Sequence, residues 1–115
     1  MEIQERTFEF ALRIIKLCQY LDEKPGVQRT LSNQLVRSGT SVGANIQEAQ
    51  AGQSRADFLS KMSIASKEAR ETLYWLKLLE KAELISDDRL QDLKQEADEI
   101  VRILTSIVKS TKQNG

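Results

Sequence analysis

Three short interruptions divide this chain into four segments, and within each segment the apolar residues recur at helical spacing. The interruptions are "DEKPGVQ", "AGQS" and "AELISDDR". Pro25 lacks a backbone N–H and disfavours helix at Lys24, while Gly26 allows a turn. Gly52 suits a left-handed C-terminal cap, and Ser54 with Asp57 three residues later resembles a capping box. Ser86 is placed to cap a fourth helix, with Asp87 and Asp88 at the positive end of its dipole. The spacing predicts helices over about residues 3–23, 27–51, 55–82 and 87–110, with "STKQNG" fraying. Four helices joined this tightly must each double back on the last. The expected fold is therefore all-α, an antiparallel up-down-up-down four-helix bundle in one domain spanning residues 1–115.

The first helix has more apolar surface than such a bundle needs. Phe8, Ala11, Leu12, Ile15 and Cys18 lie on one face, and a second series, Ile3, Phe10, Ile14, Leu17 and Leu21, lies beside it. Together they cover more than half the circumference, whereas one helix of a small monomeric bundle needs a stripe of about 100°. The surplus points to contact with a second molecule as well as with the chain's own core. The plainer alternative is that this helix is simply the most central one. Ile64, Trp75 and Leu78 on a flank of the third helix are positioned to complete a subunit interface. The candidate oligomer interface is Ile3, Phe10, Ile14, Leu17, Leu21 and Trp75.

The second and third helices carry matching polar rows. At ~3.6 residues per turn, Arg37, Ser41, Asn45 and Glu48 fall in one row beside an apolar row of Leu31, Leu35, Val42, Ile46 and Ala49. The third helix presents Asp57, Lys61, Glu68 and Glu71 beside Phe58, Met62, Ala65, Ala69, Thr72 and Leu76. The planar guanidinium of Arg37 fits a carboxylate bidentately, and Glu68 or Glu71 can supply one. Arg37, Ser41, Asn45, Glu48, Lys61, Glu68 and Glu71 are thus expected to form a structural polar network that fixes register between helices or between subunits. A competing reading has Arg29, Arg37, Arg55 and Lys61 contacting phosphates, and a third leaves these charges solvated. Gly39 and Gly43 each cost about 1 kcal/mol relative to Ala in a helix interior. With Ser38, Ser41 and Ala44 they let a neighbouring backbone approach closely, or else they bend the helix. The fourth helix buries Leu90, Leu93, Ala97, Ile100, Val101, Leu104 and Val108, and its last turns carry Arg102, Lys109 and Lys112.

Composition narrows the function. The chain has 17 basic and 17 acidic residues, evenly spread, which argues against a broad nucleic-acid footprint but leaves room for a local basic strip. With no His, a Cys/His zinc site and a Ser-His-Asp triad are excluded, and a carboxylate di-metal site lacks its Glu-x-x-His pairs. Arg37, Lys61, Lys67 and Arg70 are interleaved with the helix-two and helix-three acids and would neutralise an all-carboxylate metal site. Cys18, the single cysteine, sits on an apolar face with no basic residue one turn before it, so it reads as inert filler. No secretory leader is expected, since "MEIQERTFEF" has acids where one would carry a basic region, and no stretch approaches about 18 apolar residues. The expectation is a cytoplasmic, soluble, non-enzymatic protein with no metal, cofactor, small-molecule substrate or membrane partner.

Residues 8 to 105 resemble the bacterial four-helix-bundle family typified by proteins encoded in intervening sequences of 23S rRNA genes. The resemblance rests on Arg37, Ser38, Ser41, Val42, Asn45, Ile46, Glu48 and Ala49. In the third helix it rests on Ser54, Asp57, Phe58, Lys61, Ala65, Glu68 and Glu71. It implies an antiparallel bundle that assembles into a ring-like homo-oligomer, a pentamer. More distantly, the chain is similar to the accessory variability determinant of diversity-generating retroelements, a basic pentamer that binds a reverse transcriptase and nucleic acid. This chain departs from it in having no net positive charge. The functional expectation is an oligomeric helical scaffold, with a nucleic-acid-binding accessory acting on rRNA or with a reverse transcriptase as the alternative.

Overall fold

The apolar periodicities resolve into four helices: α1 (Ile3–Leu21), α2 (Val27–Gln50), α3 (Arg55–Lys81) and α4 (Asp87–Gln113). A computed structural model describes residues 2–114, apart from the side chain of Asp87, so the expectation placed on that carboxylate lies outside the described residues, as do Met1 and Gly115. Cross-helix partners pair in opposite numerical order, which makes each neighbouring pair antiparallel. Cys18 meets Ser32 while Thr7 lies against Gly43 across α1–α2. Arg37 meets Glu68 across α2–α3, and Lys94 meets Glu80 while Arg55 meets Thr111 across α3–α4. The α2–α3 seam is the most extensive, α1–α4 the least, and the diagonal helices α1 and α3 share no seam among the described residues.

Local chemistry sets the helix ends. Ser54 accepts a hydrogen bond from the Asp57 amide at 3.0 Å, the cap expected from the sequence. α3 ends with Glu83 in the left-handed region at φ 59°. There the Leu84 amide donates to the Leu79 carbonyl and the Glu83 amide to that of Glu80, which satisfies carbonyls that a helix end leaves open. Gly52 does not play that part. Among the described residues Gly26, at φ 94°, is the glycine with positive φ, and Gly52 instead fits a tight space beside the Ala49 carbonyl and Asp57. Ser86 makes no side-chain cap, and its carbonyl accepts from the Arg89 amide. α1 stops at Leu21, short of the expected residue 23, because the Glu23 and Lys24 amides close tighter turns onto Tyr20 and Leu21 ahead of Pro25. α4 runs to Gln113, past the expected fraying at residue 110, since the Thr111 carbonyl accepts a hydrogen bond from the Arg55 guanidinium of α3.

One core threads the four helices, with Phe10, Ile14, Leu35, Ile46, Met62 and Leu76 among its fully buried members. Gly39 faces this core at α1. A Cβ there would come within 2.8 Å of Ile14 Cγ2, so the glycine permits the close α1–α2 approach, and α2 stays helical through it. Among the described residues every buried side-chain nitrogen and oxygen has a hydrogen-bond partner.

Candidate functional site

α1 decides which surface this bundle offers, and the structure reverses the expected roles of its two apolar faces. Phe10, Ile14, Leu17 and Leu21 are buried in the chain's own core, and Ile3 packs against it. They are core, not an oligomer interface. Trp75 is half-buried, packs against the core and donates to Glu71 at 3.4 Å. The face that points outward carries Phe8, Leu12 and Ile15, exposed by 63%, 41% and 37%. The reason is steric: Ile14 needs the space left by Gly39, and Thr7 lies against Gly43, so only the series through Ile14 can close on α2. Cys18 goes inward too. Its thiol donates to the Ser32 carbonyl at 3.5 Å, the Ser32 hydroxyl donates back to the Cys18 carbonyl at 3.3 Å, and burial pushes the thiol pKa up.

The polar row between α2 and α3 closes only in part. Arg37 Nη1 lies 3.1 Å from Glu68 Oε2, and Arg37 Nη2 contacts Glu71 Oε2. Glu68 is almost fully buried while Arg37 is half exposed, so the pair sits at the rim of the core. Asn45 turns back along its own helix and donates to the Ser41 carbonyl at 2.9 Å. Glu48 and Lys61 stand apart from Arg37, lining a shallow groove near Gly52. The α2–α3 register has a second pin, which the apolar patterning hid. Thr72 Oγ1 lies 2.9 Å from Ser38 Oγ inside the core and 2.8 Å from the Glu68 carbonyl. Two hydroxyls on the apolar faces of facing helices were its only trace in the sequence. Across the thin α1–α4 seam Arg6 holds Glu96 at 2.6 Å and Glu99 at 3.4 Å, and these carboxylates raise the Arg6 pKa. At the other end of that seam the Arg89 guanidinium lies 4.2 Å over the Tyr20 ring.

The four cations considered for phosphate do not share a surface. Arg29 lies near the start of α2, where its guanidinium donates to the Asp22 carbonyl at 2.8 Å, and Arg55 lies at the opposite end of the bundle, roughly 30 Å away by helical rise. Arg37 is engaged with carboxylates, and Lys61 lies one to two turns along α3 from Arg55. A different basic strip emerges on the outer side of α3. Lys67, Arg70, Lys77 and Lys81 are all exposed, and none is in an ion pair among the described residues. Tyr74, 57% exposed, stands among them and meets Trp75 edge-on at a centroid distance of 5.1 Å.

Between α1 and α2 runs a groove of about 730 Å³. Phe8, Ala11, Gly43 and Ala44 supply its small or apolar lining, and Glu2, Glu5 and Glu9 line it as well. Those three carboxylates are exposed and in no ion pair among the described residues. No group of three or more His, Cys, Asp or Glu residues suited to a metal ion occurs among the described residues. No helix is long and apolar enough to cross a membrane, again among the described residues.

A family model described as 23S rRNA-intervening sequence protein matches residues 1–106. The chain belongs to this family. A solved structure from Bacteroides thetaiotaomicron, described as a protein of unknown function from the S23 ribosomal protein family, is similar at 44% identity. The similarity covers 94% of this chain and 99% of that one, with a TM-score of 0.86. Among curated proteins none matches. Of the residues that carried the sequence resemblance, Arg37, Glu68 and Glu71 meet in space.

Proposed function

We propose that this member of the 23S rRNA-intervening sequence protein family is a non-enzymatic helical-bundle scaffold that works in the cytoplasm as a ring-like homo-oligomer, a pentamer as the sequence resemblance implies. The observation that carries this reading is the outer face of α1. Phe8, Leu12 and Ile15 form an apolar stripe that the chain's own core does not use, beside a groove of small residues. Covering such a stripe gains roughly 25 cal/mol per Å² of apolar surface removed from water. Light scattering across micromolar concentrations is expected to give a fixed multiple of the 13.1 kDa chain mass. A 13.1 kDa particle at every concentration would contradict it.

A nucleic-acid-binding accessory role, acting with rRNA or a reverse transcriptase, is the second reading. It draws on the exposed cations of α3, Lys67, Arg70, Lys77 and Lys81, rather than on Arg29, Arg37, Arg55 and Lys61. On this reading RNA binding weakens steeply with salt, by a log-log slope set by the phosphates contacted. Undetectable RNA binding at low salt removes it.

A further inference from the structure

We propose that copies of this chain join head to tail, with the outer face of α3 on one copy seating Tyr74 in the α1–α2 groove of the next. This rests on the oligomeric reading above and names the two surfaces that would carry it. Shape supports the match: the groove is lined by Ala11, Gly43 and Ala44, whose small side chains leave it open, and Tyr74 projects from α3 while Trp75 braces its ring at 68°. Charge supports it independently. The groove brings Glu2, Glu5 and Glu9, and the α3 face brings Lys67, Arg70, Lys77 and Lys81, all without ion-pair partners in their own chain among the described residues. Of the cations nearest the groove on α1, Arg6 and Arg13 line the α1–α4 side with Glu96 and Glu99, a side that Glu9 also borders, and Lys16 lies about two turns beyond Glu9. Lys67, Tyr74 and Lys81 recur every seven residues, so ring and cations present one line along α3.

The placement of the two faces determines the kind of assembly. α1 and α3 occupy diagonal corners of the bundle, so one copy can use both faces at once with different neighbours. A twofold dimer would set acid against acid at α1, or base against base at α3. Only unlike faces are complementary, and a contact between unlike faces propagates until rotation closes it into a ring. A chain with no net charge adds no overall repulsion between copies.

Charge reversal tests this on exposed residues whose side chains make no hydrogen bond or ion pair within the chain among the described residues. One variant carries E5K and E9K, a second carries K67E and K77E, and circular dichroism melts confirm that each folds. By analytical ultracentrifugation each variant alone is expected to raise the concentration for half-dissociation at least about tenfold. Mixing the two, or placing all four changes in one chain, is expected to restore assembly. Wild-type-like assembly of either variant alone, or a mixture that stays dissociated, would overturn the proposal while leaving the oligomeric reading standing. A K67E/K77E chain that assembles normally but loses salt-sensitive binding to single-stranded RNA would also overturn it, assigning α3 to nucleic acid. A wild-type protein that is monomeric throughout would remove both readings.

Discussion

The inner face of α1 holds Ile3, Phe10, Ile14, Leu17 and Leu21 and closes on its neighbours, whereas the outer face holds Phe8, Leu12 and Ile15 and remains uncovered in the chain. Hydrophobicity alone does not separate them. Two other features do. The inner series runs through Thr7 at alternating steps of three and four for the whole helix, while the outer one ends at Ile15 with Gln19 one turn later. The inner series also meets a matching surface, since Ile14 occupies the space at Gly39 and Thr7 lies beside Gly43. The core face of a helix is thus set by continuity and by the shape of its partner.

The sharpest way to break this contrast is to truncate a ring on each face. Phe10→Ala removes a fully enclosed ring and is expected to cost about 3–5 kcal/mol in urea unfolding. Phe8→Ala, measured where the protein is dissociated, is expected to change stability by less than about 0.5 kcal/mol. Equal costs would mean that the faces are not distinct. Next in size, Arg37→Ala leaves Glu68 almost buried with its cross-helix cation gone, at about 1–2 kcal/mol. Thermal stability of the dissociated chain should fall by that amount.

Gly39→Ala tests the shape argument. The added methyl meets Ile14 Cγ2 at 2.8 Å, and overpacking outweighs the gain in helix propensity, for a net loss of about 1 kcal/mol. In a double-mutant cycle with Ile14→Ala the two costs should fall short of adding, because the second change deletes the atoms that collide. Strict additivity would show that the glycine is not there for Ile14. The smallest effect comes from Cys18. Burial raises its folded pKa above the ordinary value of 9.0, so the unfolded chain loses its thiol proton first and stability falls as pH rises above about 9. Below that pH the thiol is protonated in both states and adds no slope. Cys18→Ala should flatten the alkaline limb of the stability profile relative to the parent chain.

Much of the bundle was legible in the sequence because short breaks and a 3.6-residue period leave few arrangements. The Arg37 link to Glu68 and Glu71 was legible for the same reason, as both rows border apolar faces. What escaped depended on three-dimensional register. Arg6 and Glu96 lie on the first and last helices and pair only once the bundle closes. Ser38 and Thr72 look like ordinary small residues on apolar faces until those faces meet. The lower half of the polar row failed because Asn45 found a partner one turn back on its own helix. The basic strip on α3 was hidden by Glu68, Glu71 and Glu80 in the same stretch. Glu68 and Glu71 turn to Arg37 and Glu80 to Lys94, which leaves the cations outside.

The central claim is that the stripe of Phe8, Leu12 and Ile15 is covered by a second copy of the chain. Sedimentation equilibrium of the wild type beside a Phe8→Ser, Leu12→Ser variant tests it most directly. The account predicts a discrete oligomer for the wild type and a folded 13.1 kDa-class monomer for the variant at the same micromolar concentrations. A variant with the wild-type assembled mass would contradict it.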